Sequence, residues 1–188
     1  MRKLSADTEI LGTQYSISDF WSWGFSDLLM NSLRGVFSEF LVGSALGILQ
    51  HPRIEWDTYD LLYMDKKIEV KSAAYIQSWH VEKYSKISFG IEEKRSYNYD
   101  TNTYSVDVLR HADIYVFCLL KEKNKEQINV LNTEQWNFYI VPTQTLNNLY
   151  AKQKRISLSS LEKISQPVSY NQIKKVIDTT IYSLRNNC

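Results

Sequence analysis

Apolar residues recur at helical spacing through Leu29, Leu33, Val36, Phe37, Phe40, Leu41 and Ala45. That stripe predicts a helix starting near Ser26-Asp27, an N-cap pair, and running to about Leu49. Gly35, Gly43 and Gly47 lower its propensity but admit a close neighbour, and Pro52 ends the segment. The period then changes. Arg53 to Asp57 reads as a short strand, and Asp60 to Lys71 (DLLYMDKKIEVK) as a β-hairpin whose return strand alternates Ile68 and Val70 with Glu69 and Lys71. Ser72 to Lys83 reads as loop and short helix, with Trp79 in the core. Ile87 to Ile91 reads as a strand, and polar Glu92 to Asp107 as a long loop. Ala112 to Leu120 (ADIYVFCLL) has the continuous apolar character of a buried central strand. After a charged connection, Trp136 to Val141 is another strand, stopped by Pro142. Thr143 to Tyr150 and Ser169 to Leu184 read as helices, the second with Ile173, Val176, Ile177 and Ile181 on one face.

This order predicts an α/β (α+β mixed) fold with a central mixed β-sheet flanked by helices. At 188 residues the chain suits a single domain. Within it, 1–25 form an irregular N-terminal brace or lid, 27–120 a core, and 121–188 a C-terminal strand and helices.

Composition narrows the class only slightly. Hydrophobic residues are 44% and charged residues 23%, an ordinary globular mixture. The net charge of +1 gives no global basic field, so nucleic-acid binding would need a local basic face. Cys118 sits in the central apolar strand and reads as a small buried hydrophobe, while Cys188 is the last residue. No disulfide framework or zinc spacing is present. With no apolar run long enough for a signal peptide or a bilayer span, the expectation is a soluble, cytoplasmic protein without membrane contact.

The candidate chemistry lies in the hairpin. If Asp65 and Lys66 occupy the turn, Leu62 lies opposite Glu69 and Asp60 opposite Lys71. Side chains alternate along a strand, so Asp60, Glu69 and Lys71 then share one face. Two carboxylates suit a hard divalent cation, and an ammonium beside them suits a water or phosphate oxygen. His80 and His111 lack a nucleophile at a recognisable motif, and no glycine-rich phosphate loop occurs.

Glu39 on the first helix, Asp60 at the mouth of the hairpin and Glu69-Val70-Lys71 on its return strand together resemble the PD-(D/E)XK nuclease superfamily, the restriction-endonuclease-like fold. The resemblance spans 27–120, with Tyr59 where the family label has proline. It implies a Mg²⁺-dependent deoxyribonuclease, with Mn²⁺ as a substitute metal. In that reading Asp60, Glu69 and Glu39 hold the metal, Asp57 being a rival for Asp60. Lys71 orients water or offsets transition-state charge. Gln77 follows the lysine strand as a further catalytic candidate, or as an ordinary polar loop residue. Arg34 either contacts phosphate or pairs with an acid on its own helix. Lys94 and Arg95, with Tyr97, Tyr99 and Tyr104, are the candidates for DNA contact outside the centre. A homodimer follows by analogy with double-strand cutters. The alternative keeps the fold without the activity, as a nucleic-acid- or protein-binding module.

Overall fold

The computed structural model describes residues 2–54, 58–79, 82–98 and 101–186. Asp57, His80, Tyr99 and Cys188, all considered above, lie outside them. The fold is mixed α and β, built on a four-stranded sheet of order β1-β2-β6-β7. Its strands are β1 (Leu61–Tyr63), β2 (Lys66–Ala74), β6 (Ile114–Leu120) and β7 (Trp136–Pro142). β1 and β2 are antiparallel, β2 and β6 parallel, β6 and β7 antiparallel. β6 is buried at every position, as its unbroken apolar run requires of a strand covered on both faces.

Two helices cover one face. α2 (Asn31–Leu46) contributes Leu41, Val42 and Leu46, and α5 (Ile173–Asn186) contributes Ile173, Ile177 and Ile181. They pack on Ile68 and Val70 of β2 and on Val116 and Cys118 of β6. On the other face, Tyr115, Phe117 and Leu119 meet Phe89 of β3 (Ser88–Gly90) and Ile156 of β8 (Arg155–Ser157). Leu146 of α3 (Thr143–Tyr150) and Leu161 of α4 (Leu158–Leu161) complete that layer. Alternation along β2 therefore sends Ile68 and Val70 into the helical layer and Glu69 and Lys71 toward the opposite layer.

Several boundaries differ from the sequence expectation. The irregular brace contains a helix, α1 (Ile17–Phe25), started by a capping box in which Ser16 and Asp19 satisfy each other's backbone. None of its residues is buried. α2 begins at Asn31 rather than near Ser26, and ends where Gly47 takes the left-handed conformation that an L side chain resists. The hairpin turns at Met64 and Asp65, both at positive φ, rather than at Asp65-Lys66. Two left-handed residues form the tight turn whose twist suits paired strands. β2 then runs on to Ala74, and no helix forms among the described residues of 72–83. Trp79 is 61% exposed rather than core. The expected long loop at 92–107 is a second hairpin, β4 (Lys94–Asn98) with β5 (Thr103–Leu109), paired as its own two-stranded sheet.

Candidate active site

The shifted turn decides the site's register. Leu61 pairs with Ile68, and the same register carried one residue further sets Asp60 beside Glu69, not opposite Lys71. The Asp60 N–H donates to the Ile68 carbonyl at 3.0 Å. Its Oδ2 accepts the Val70 N–H at 2.7 Å, so the carboxylate stands in for the strand partner that β1 is too short to supply. Asp60 is thereby fixed to the residue between Glu69 and Lys71. An extended residue's N–H and C=O point the same way, so the Val70 carbonyl also faces this edge.

The other charged groups each have a partner. The Lys71 ammonium donates to Glu69 Oε1. Glu39, 9% exposed on α2, is gripped by Arg53 at both oxygens, Nε to Oε2 at 2.5 Å and Nη2 to Oε1 at 2.9 Å. Among the described residues no cation is bound to Asp60. Burial, then the negative charges of Glu69 and Glu39, push its carboxyl up from the ordinary range to about 7; the Val70 N–H and Lys71 oppose this only in part. Glu39, Glu69 and Lys71 are thus each close enough to act on the Asp60 carboxyl. Across the strand pair, Tyr115 lies beside Glu69, and burial followed by the Glu69 charge pushes its phenol up as well.

Two concavities open at this edge. Glu39, Asp60 and Arg53 line a cleft of about 710 Å³ together with Lys3, His51 and Phe40. Glu69 and Lys71 line a separate cavity of about 220 Å³ with Lys94, His111 and Tyr115. His111 Nε2 lies 2.8 Å from the Lys94 carbonyl and donates to it, which fixes the ring at the foot of the second hairpin.

The donor set, carboxylate oxygens and a strand-edge carbonyl, has the chemistry of a hard divalent cation site. Its present arrangement is not one: among the described residues no three histidine, cysteine, aspartate or glutamate side chains stand together as metal ligands. Arg53, Lys71 and the Val70 N–H hold the three carboxylates instead.

Gln77 and Arg34 meet each other. Arg34 is 2% exposed, and its Nη1 donates to Gln77 Oε1 and to the Leu29 carbonyl, both at 2.8 Å. Its Nη2 donates to Asn31 Oδ1, and its Nε has no hydrogen-bond partner among the described residues. Neither expected partner of Arg34, a phosphate in reach of solvent or an acid on its own helix, matches this setting. Gln77 in turn donates to the Ala74 carbonyl at 2.9 Å. Lys94 and Arg95 are exposed on β4, and Tyr97 packs edge-on against Tyr104 with ring centroids 5.0 Å apart.

Sequence reasoning missed Arg53, Tyr115 and His111 as site residues. Arg53 carried no periodic signal, and Tyr115 was absorbed into an apolar run. His111 shares the cavity of Glu69 and Lys71 with Gly90 of β3 and Leu109 of β5, segments that no local pattern joins. No family model matches this chain, and no curated protein matches its sequence. Among the described residues no helix is long and apolar enough to cross a membrane.

Proposed function

We propose that this chain is a Mg²⁺-dependent nuclease that hydrolyses DNA phosphodiesters, with a restriction-endonuclease-like fold. One observation carries the reading: Asp60, at the end of a short edge strand between two open concavities, feels the charges of Glu69, Glu39 and Lys71 and is left protonatable near neutrality. Packing for stability alone avoids an acid in the setting of Asp60, whereas a divalent cation would relieve it. Asp60 and Glu69 would hold the metal, with Glu39 completing the set. A bound Mg²⁺ supplies Lewis acidity toward a phosphoryl oxygen and a water of lowered pKa. Lys71 would orient that water or offset charge on the phosphate, and its ion pair with Glu69 supports the reading by holding the ammonium beside a proposed metal ligand. Lys94 and Arg95 provide cations for backbone phosphates.

The test is cleavage of linear, circular, branched and single-stranded DNA in Mg²⁺ or Mn²⁺, alongside Glu69→Ala and Lys71→Ala. Metal-dependent cutting should fall by about a hundredfold or more in both variants, the scale of losing a preorganised charge-stabilising group. A wild type inert on every substrate, or variants that cut as well as it does, would overturn the proposal. The second reading, a binding module on the same fold, is favoured by the ion pairs that already occupy Glu39 and Glu69. It predicts DNA or partner binding that is indifferent to divalent ions.

A further inference from the structure

We propose that Arg53 is a substrate-phosphate ligand stored on Glu39, and that the 710 Å³ cleft it lines is the path of the nucleic-acid strand. The inference rests on the nuclease reading above and adds to it a substrate-binding residue and a binding surface. A carboxylate as buried as Glu39 requires a counter-charge, and the bidentate guanidinium supplies it. A divalent cation taken up by Glu39 and Asp60 would supply the same counter-charge, so Arg53 and the metal compete for one carboxylate.

The Arg53 side chain is 37% exposed and lies in a segment outside any helix or strand, between Pro52 and Ile54. Its guanidinium stays charged when displaced, and its planar fork matches a phosphate as well as a carboxylate. Lys3 and His51 line the same cleft, which places basic side chains along it, and Phe40 offers an exposed ring for a sugar or base. Arg53 therefore exchanges Glu39 for a strand phosphate as the metal arrives. The exchange couples metal uptake to substrate binding without new covalent chemistry.

Two measurements on Arg53→Ala and Arg53→Lys test this. The first is the Mn²⁺ concentration that half-saturates a thermal shift of the nucleic-acid-free protein. The second is the affinity of a short fluorescent DNA in Ca²⁺ across a salt series. Arg53→Ala is expected to bind Mn²⁺ at least about fivefold more tightly, because the competitor for Glu39 is gone. It should bind DNA about tenfold more weakly, with a salt slope smaller by about one. Arg53→Lys grips Glu39 less firmly but keeps its charge, so Mn²⁺ should again tighten while the salt slope stays at the wild-type value. If the alanine variant does not fold, the lysine variant decides through the same pair of readouts. Mn²⁺ binding that is unchanged or weaker in the variants, or DNA binding equal to wild type, would overturn the exchange. Glu39→Gln separates the two layers: Mn²⁺ binding lost there but unaltered in Arg53→Ala sinks the exchange alone. A wild type that binds no Mn²⁺ removes the metal reading and the exchange together.

Discussion

Replacing Asp60 by Asn should make the metal-free protein more stable at pH 8. The Asp60 carboxyl is raised from its ordinary value of 3.8 to about 7, by burial first and then by Glu69 and Glu39. The folded state therefore holds a proton that the unfolded chain releases. The stability tied to that proton is fully present below about pH 3.8. It is lost as the pH rises to about 7, because over that window the native state binds more protons than the unfolded state. At ~1.4 kcal/mol for each pH unit, the gap from 3.8 to about 7 corresponds to roughly 4 kcal/mol. Asp60 is partly solvent-exposed, so screening reduces the effect to about half, ~2 kcal/mol. In a domain of this size that is a shift in melting temperature of roughly 4–8 °C. Asn keeps an oxygen for the Val70 N–H and carries no charge, so it mimics the protonated carboxyl.

The assay is thermal unfolding of wild type and Asp60→Asn from pH 4 to pH 8.5 in chelator, then in excess Mg²⁺. Without metal, the stability difference should be near zero at pH 4 and grow in favour of Asn until about pH 7. With Mg²⁺ at pH 8, wild type should gain stability and Asp60→Asn should not, because the cation replaces the proton on a carboxylate the variant lacks. A variant less stable than wild type at pH 8, or a difference that does not change with pH, would refute the assignment of Asp60 as the uncompensated acid.

Arg110 is buried, and its guanidinium donates to the Ile91 carbonyl at 2.6 Å, Asn147 Oδ1 at 2.7 Å and the Tyr150 carbonyl at 3.0 Å. Arg110→Met strands these acceptors and should cost about 3 kcal/mol or more in urea unfolding. Arg34→Met likewise strands Gln77 Oε1 and the Leu29 carbonyl, at a cost of about 2 kcal/mol, while leaving the salt slope of DNA binding unchanged. Exposed Lys94 and Arg95 behave in the opposite way. Changing both to Ala should leave stability within ~0.5 kcal/mol and lower the salt slope by about two.

The layered fold was legible because its signals are dense. The unbroken β6, the Trp136–Pro142 strand and the Thr143–Tyr150 helix stand where hydrophobic period places them, whereas of the stripe read for α2 Val36 and Phe40 are exposed and the helix turns Leu41, Val42 and Leu46 inward. What escaped were features set by a few atoms. The capping box at Ser16 was readable as Ser-x-x-Asp, but the helix it starts buries nothing and so leaves no core signature. The turn at Met64-Asp65 lacks the Asn-Gly or Asp-Gly pair that usually marks two left-handed residues. β4 and β5 carry mostly polar side chains because their hairpin packs on little, and Val106 is 89% exposed. Of the candidate site, the parity of Glu69 and Lys71 follows from alternation alone. The grip of Arg53 on Glu39 is a contact between segments that no local pattern encodes.

The charges at the sheet edge do not cancel. Glu39 is matched by Arg53 and Glu69 by Lys71, which among the described residues leaves Asp60 as the odd carboxyl, bonded to a backbone N–H. That residue absorbs the imbalance by keeping a proton up to about pH 7. A proton on Asp60 and a divalent cation shared by Asp60 and its neighbours are two solutions to the same electrostatic problem. On the proposed reading the first would hold in acid and the second at neutral pH with metal present. Divalent-ion affinity should therefore rise with pH up to about 7 and level off above it. Against a solely structural role stands the position of these acids: an apolar pair at 60 and 69 would close the edge without any of this cost.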